Sequence, residues 1–351
     1  MEYYAGIDVS LEASSVCVVD GAGKIVKEAK VLSEPADLIA WFKALPFALA
    51  RIGLEAGPLS QWLYAGLKKA GLAVELLETR HVCAALKTMP AKTDRNDAHR
   101  LALAPRRSLC IAQLMRLGWF RPVHCKTVAS QETRALLTAR KLVQGKLYDI
   151  EMSLRGILRG FGLKVGWTTK TGFASRIGEL VEHHPVLEAI AKALLAVHAV
   201  LLRELNGFER QVRKQAKSDS RVRLLMTAPG VGPIVGLSYV SAIDDPGRFT
   251  SSKTAGAHFG LTPKRYQSGQ TDFTGRISKM GDKSVRTALF EAAHVILTRV
   301  VRGGVLKAWA ARLAKRAGMQ KAKVALARKL AVILHRMLAD GMPFDAARAA
   351  A

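Results

Sequence analysis

Apolar residues in the first third of the chain come in short runs bounded by turn residues; in the remainder they recur at three- and four-residue spacing. Residues 3–31 read as strands: an apolar run around Ile7 to Val9, a second from Val16 to Val19, a Gly21-Ala22-Gly23 turn, and a third from Ile25 onward. Runs of that length separated by glycine turns are the signature of a β-hairpin. A further strand ends at Arg51-Ile52-Gly53-Leu54-Glu55, Gly57-Pro58 breaks it, and an amphipathic helix is predicted over residues 59–70. Val74 to Leu77, after Gly71, is one more short strand. Strands followed by helices in this order predict an α/β layer.

From about residue 126 the texture changes. Residues 129–160 and 177–217 carry apolar side chains at helical spacing with charges between them, interrupted by the Gly-rich stretch 156–172. That pattern predicts a long helical middle, either an antiparallel pair folded on itself or a coiled coil between copies, although the spacing is not strictly heptad. The last third opens at Arg221 with a Gly/Pro turn, passes through a polar, Gly-containing stretch at 262–281, and closes with helices at 284–301 and 322–338. The expected organisation is an α/β amino-terminal domain over 1–125, an α-helical, coiled-coil-like middle over 126–217, and a mostly α carboxy-terminal domain over 218–351.

Charge changes the picture from fold to partner. Lys and Arg number 54 against 28 Asp and Glu, a formal charge of +26 in 351 residues. A surface this basic repels itself unless something neutralises it, so a polyanion, nucleic acid first, is the expected partner. The longest apolar run, residues 194–202, contains His198 and is too short for a membrane span. The start of the chain lacks the charged and apolar regions of a signal peptide, so a cytoplasmic protein is expected. Cys17, Cys83, Cys110 and Cys125 form no C-x-x-C pair and are read as reduced thiols.

Four acids stand out against this basic background. Asp8 lies inside an apolar strand, in Gly6-Ile7-Asp8-Val9-Ser10, where an uncompensated carboxylate is costly to bury. Glu55 repeats the pattern in Gly53-Leu54-Glu55-Ala56-Gly57, so adjacent strands can bring both to one rim of a sheet. Asp94 and Asp97 are three apart in Lys92-Thr93-Asp94-Arg95-Asn96-Asp97-Ala98 and share a face if the segment is helical. Gathered together, four carboxylates require cations, and hard oxygen ligands of this charge suit Mg²⁺ or Mn²⁺; a pair of such ions about 4 Å apart supports phosphoryl transfer. Taken singly, each has a structural reading: Asp94 as a helix cap, Asp97 as a partner of Arg95 or Arg100, and Asp8 as a turn residue.

Two further features bear on nucleic acid. Ala228-Pro229-Gly230-Val231-Gly232-Pro233 sits between helical patterns, where Gly230 and Gly232 can turn backbone amides towards a phosphate, as in helix-hairpin-helix modules; a plain interhelical turn accounts for it equally well. Ser268, in Tyr266-Gln267-Ser268-Gly269, is a candidate nucleophile in a stretch that also holds Lys264, Arg265, Arg276 and Lys279 for phosphate contact. Most such serines only cap or turn.

Together these motifs resemble the DEDD-type insertion-sequence transposases, the family that includes the pilin-gene invertases. Gly6-Ile7-Asp8-Val9-Ser10, Leu54-Glu55-Ala56-Gly57 and Lys92-Thr93-Asp94-Arg95-Asn96-Asp97-Ala98 match its amino-terminal motifs. Pro229-Gly230-Val231-Gly232-Pro233, Phe259-Gly260-Leu261-Thr262-Pro263, Gln267-Ser268-Gly269 and Ile277-Ser278-Lys279-Met280-Gly281 match its carboxy-terminal ones. The resemblance implies a ribonuclease H-like amino-terminal domain in which Asp8, Glu55, Asp94 and Asp97 hold metal. It also implies a homo-oligomer, a carboxy-terminal transposase domain with Ser268 as nucleophile on DNA, and a guide RNA from the mobile element itself. One departure is visible: family members pass from the Asp97-Ala98 helix directly into a stretch like Ile111-Ala112-Gln113-Leu114-Met115-Arg116. Here residues 100–110 intervene, and Pro105 is expected to break the helix. The alternatives are a junction-resolving nuclease without a serine step and a non-catalytic nucleic-acid-binding protein.

Overall fold

The computed structural model describes residues 1–88, 103–299 and 304–350. The chain forms two compact units, Met1–Lys126 and Thr127–Ala351.

In the first unit β1 (Tyr3–Asp8), β2 (Ala13–Asp20), β3 (Ile25–Leu32), β4 (Leu49–Glu55) and β5 (Val74–Leu77) build one sheet in the order β3-β2-β1-β4-β5. The β1, β2 and β3 strands run antiparallel, and β4 and β5 continue parallel to β1. The two-residue period of a strand sorts the side chains onto two faces. On one, Ala5, Ile7, Val16, Val18, Ile52, Leu54, Val74 and Leu76 pack with Leu38, Phe42, Leu63 and Leu67 from α1 (Pro35–Lys43) and α2 (Ser60–Lys69). On the other, Tyr4, Cys17, Val19 and Leu77 meet Val82, Cys110, Ile111, Ala112 and Met115 from α3 (Thr79–Thr88) and α4 (Leu103–Leu117).

Helix α4 carries Pro105 in its first turn, where a missing N–H leaves no intrahelical bond unmade; the Asp97-Ala98 stretch that Pro105 is expected to cut off lies outside the described residues. The tail of the 100–110 segment is core: Ser108 and Cys110 are buried with the α4 stripe Ile111, Ala112 and Met115. That stripe lies directly on the sheet because Gly6 and Gly53, paired in register, have no side chains. A Cβ on Gly6 would stand 2.1 Å from the Ser108 carbonyl oxygen, and one on Gly53 would stand 2.5 Å from Ile111 Cγ2.

The second unit is helical: α5 (Val128–Gly160), α6 (Phe173–Val181), α7 (Pro185–Ser218), α8 (Ser220–Leu225), α9 (Pro233–Ile243), α10 (Lys253–His258), α11 (Lys283–Thr298), α12 (Val305–Ala317), α13 (Met319–Asp340) and α14 (Ala346–Ala350). Cross-helix pairs Thr133 with Gln215, Arg140 with Glu209 and Glu151 with His198 show α5 and α7 to be antiparallel, with a small core of their own around Leu154, Leu158, Phe173, Ile177 and Leu187. Among the described residues α7 is the one helix long and apolar enough, by length and composition, to cross a membrane; the uninterrupted-run criterion applied to the sequence passes over it. The larger core surrounds α9, which is buried along its length. The carboxy-terminal region is not wholly α: the polar stretch after α10 forms an antiparallel ribbon, β6 (Pro263–Ser268) and β7 (Thr271–Ile277). All four cysteines are free.

Two polar anchors organise this unit. Asp244, buried at the end of α9, accepts from the Thr127 amide and hydroxyl at 2.9 and 2.7 Å and from the Ser130 hydroxyl at 2.5 Å, tying down the start of α5. Asp282 caps α11 through the Ser284 and Val285 amides and pairs with Arg134 at 2.5 Å. Burial alone would lift its carboxyl, but Arg134 and the two amides bring it below the ordinary aspartate range.

Gly6→Ala should lower unfolding stability by about 1–3 kcal/mol, because the clash is with backbone that must move as a whole; thermal melts of both proteins check this. Asp282→Ala should cost about 1 kcal/mol at neutral pH from the lost cap alone. A depressed folded-state pKa supplies stability above the ordinary aspartate range and loses it as pH falls through the folded value. The difference between wild type and Asp282→Ala in urea melts should therefore shrink on acidification.

Candidate active site

The face of the sheet that carries Gly6 and Gly53 also carries the residues two further along each strand, Asp8 and Glu55. The register runs Gly6 with Gly53 and Ile7 with Leu54, so the two acids come to the carboxyl ends of adjacent parallel strands. Glu55 is buried and Asp8 half-buried. The sequence expectation that adjacent strands place both on one rim is met.

A third charge completes the rim. Arg107, in the opening turns of α4, brings its Nε to 3.1 Å from Glu55 Oε2, and its Nη2 donates to Cys83 Sγ at 3.5 Å. The Arg107–Glu55 contact is an ion pair without directed alignment: neither Nε nor Oε2, both buried, makes a hydrogen bond of good geometry. At the start of α3 the Thr79 hydroxyl donates to the Ala56 carbonyl at 2.8 Å and closes the loop after β4.

Burial dominates the electrostatics. It pushes the Asp8 carboxyl up, with Arg107 opposing, and pushes Glu55 up, with Arg107 opposing and the Asp8 charge adding. It also lifts the nearby Cys110 thiol to about 11, with the Glu55 charge adding. One guanidinium therefore does not offset the desolvation of two carboxylates.

Asp94 and Asp97 lie outside the described residues. Among the described residues no group of three or more His, Cys, Asp or Glu side chains is placed to hold a metal ion; Asp8 and Glu55 are a pair. Arg107 was missed in the sequence. The shared Gly-x-acid spacing of β1 and β4 points to a close-packed element on the acid-bearing face but does not mark which residue that element brings.

The remaining candidates lie in the second unit. Ser268 is exposed at the end of β6, paired with Thr271 across the Gly269-Gln270 turn, where Gly269 adopts φ +54°. Lys264, Arg265, Arg276 and Lys279 are exposed on the same ribbon and the loop that follows it. Arg265 forks onto Asp272 at 2.8 and 2.5 Å, so its charge is shared within the ribbon. The ribbon's base is fixed by Arg286, whose Nη1 donates to the Phe259, Met280 and Gly281 carbonyls at 3.0, 2.7 and 3.0 Å. Gly230, at φ +73°, lies in the α8–α9 turn against α11, where a Cβ would stand 2.8 Å from the Ala292 carbonyl oxygen. That contact alone requires glycine. Gly232 is the N-cap of α9.

Two family models match these two regions. A DEDD transposase model matches residues 5–162, from β1 through α5, and the model of the Transposase IS116/IS110/IS902 family matches residues 222–307, from α8 through the ribbon and α11. The chain belongs to the DEDD-type insertion-sequence transposases. It is similar to the transposase for insertion sequence element IS1111A of Coxiella burnetii, 28% identical over 95% of this chain and 88% of that protein. It is likewise similar to the transposase for insertion sequence element IS1328 of Yersinia enterocolitica, 26% identical over 64% of this chain and 68% of that protein. A pilin gene-inverting protein of Moraxella bovis is 30% identical over 36% of this chain and 39% of its own length.

The raised carboxyl of Glu55 has a measurable sign in this transposase. A folded-state pKa above the unfolded one supplies stability below the ordinary glutamate range, and that stability is lost as pH rises through the folded value. In the presence of a chelator, the melting temperature of wild type minus that of Glu55→Gln should fall between about pH 4 and about pH 7. A difference that stays flat or rises would mean that Arg107 outweighs burial.

Proposed function

We propose that this transposase cuts and rejoins DNA by metal-dependent transesterification, with Asp8, Glu55, Asp94 and Asp97 holding the ion and Ser268 as nucleophile. The first unit serves as a ribonuclease H-like catalytic domain, the α5–α7 hairpin as a self-association element, and the remainder as the DNA-handling domain. The observation that carries the reading is the Asp8–Glu55 rim: two carboxylates brought to adjacent strand ends by a glycine pair, with Glu55 Oε2 buried and lacking a directed hydrogen bond. An oxygen in that state fits a hard divalent cation, and Mg²⁺ (or Mn²⁺) needs only one or two carboxylates beside water and phosphate oxygens. When bound, such an ion stabilises charge on the attacking and leaving oxygens.

The chain's own residues do the rest. Ser268 Oγ gives up its proton and attacks a backbone phosphorus; the DNA hydroxyl leaves, and the phosphodiester is kept as a phosphoserine link. Attack by a hydroxyl of the partner strand reverses the step and joins the new ends. Lys264, Arg276 and Lys279 hold phosphates near the serine. Guidance by an element-encoded RNA rests on the family resemblance, and it would give the +26 charge a second polyanion to neutralise.

The test is incubation of the purified protein with DNA of its element ends, the adjacent noncoding RNA and Mg²⁺, read on a denaturing protein gel. Wild type should give a covalent protein–DNA adduct. Ser268→Ala should give none, and Asp8→Asn should lose it while still shifting DNA in a binding assay. Cleavage without an adduct would assign the junction-resolving nuclease reading instead. DNA binding with no Mg²⁺-dependent reaction would assign a binding protein.

A further inference from the structure

We propose that Arg107 is a built-in counter-ion for the Asp8–Glu55 rim which a divalent ion must displace, so that this arginine sets the metal affinity of the site. The proposal rests on the metal reading above, and it concerns a residue within the 100–110 segment that departs from the family pattern.

The geometry separates Arg107 from the arginines that hold the fold together. Arg286 is locked by three carbonyls. Among the described residues Arg107 has one ion pair, to Glu55, without directed alignment, and one bond to a thiol sulfur at 3.5 Å, a weak acceptor. Its side chain is 39% exposed whereas that of Glu55 is 9% exposed, so the guanidinium lies on the solvent side of the carboxylate. Its root is fixed, because α4 is seated on Gly6 and Gly53 through Ser108, Ile111 and Met115, while the long side chain beyond Cβ can rotate outward.

Glu55 Oε2 faces Arg107 Nε at 3.1 Å. The carboxylate oxygen that would hold an ion is the one the guanidinium already covers, and two cations sharing it would repel strongly in a half-buried site. One has to leave, and only the side chain is tethered elsewhere. Arginine keeps its charge at every accessible pH, so the displacement cannot be avoided by proton loss. Without metal, Arg107 offsets part of the repulsion between the two carboxylates; with metal, that role passes to the ion.

The experiment measures Mn²⁺ binding to the full chain without nucleic acid, with free Mn²⁺ read by electron paramagnetic resonance, in wild type, Arg107→Gln and Arg107→Met. Melts in chelator and in Mg²⁺ accompany it. Both variants should bind Mn²⁺ at least about tenfold more tightly than wild type. Both should melt lower than wild type in chelator and gain more from Mg²⁺. Binding in the variants but none in wild type also supports the inference. Affinity equal to or weaker than wild type would overturn it and leave the metal reading standing. No Mn²⁺ binding by any of the three proteins would overturn the metal reading and this inference with it. Variants that remain unfolded at saturating Mg²⁺ would also overturn it, since the arginine would then be structural and not exchangeable for an ion.

Discussion

The acidic rim of Asp8 and Glu55 depends on one packing contact, the seat of α4 on the bare backbone of β1 and β4. Gly6 and Gly53 lie side by side, and the Ser108 carbonyl, Ala112 amide and Ile111 side chain occupy the space that two Cβ atoms would fill. Because strands alternate faces, choosing glycine at these positions also chooses which face Asp8 and Glu55 occupy. The same helix, held this close, delivers Arg107, the residue before Ser108 and one turn before Ile111 and Ala112, to the carboxylates. Geometry at the site is thus set by the absence of side chains nearby, and a change that lifts α4 would shift both the acids' cover and their counter-charge.

Comparing the acids of the two units shows why this pair reads as functional. Asp244 and Asp282 are also well buried, yet each is met by amides, hydroxyls or an arginine in directed bonds, and Asp282 is held below its ordinary pKa as a result. Asp8 and Glu55 are pushed the other way. A fold that satisfies its structural carboxylates but leaves two adjacent ones under-compensated retains a cost that a ligand can relieve. Stability and function pull in opposite directions at this rim.

How much of this was legible follows from which forces leave a mark in sequence. The β1, β2 and β4 strands could be read because each buries a continuous run of apolar residues, and the convergence of Asp8 with Glu55 followed from their matching strand-end positions. The α5 helix and most of α7 could be read because thirty residues of helical spacing leave few alternatives, but residues 177–217 read as one stretch where the structure ends α6 at Val181 and starts α7 at Pro185. The β6–β7 ribbon could not: both of its faces are exposed, so no alternation of apolar and polar residues announces it. Residues 108–110 read as part of an insertion because nothing in a helical stretch marks burial by itself, and the packing of Ser108 and Cys110 shows them to be core. Arg107 was invisible for a related reason, since a lone basic residue in so basic a chain carries no contrast until a buried carboxylate is found beside it.

The ribbon bears on how Ser268, the proposed nucleophile, is aimed. Its base is firm, pinned by the three bonds of Arg286, and along its length it is braced by the Tyr266–Phe273 stack and the Arg265–Asp272 fork. Ser268 sits exposed at the far end, beyond these braces, on a two-stranded element. Two strands alone are marginal in water, so the end of such a ribbon gains order only when something binds it. Exposed Lys264, Arg276 and Lys279 make a phosphate backbone the natural binder. A serine placed this way is aimed by its substrate, and an unaimed serine is a poor nucleophile. On the reading proposed here, the same charge that draws nucleic acid to the ribbon also withholds the reaction until nucleic acid is there.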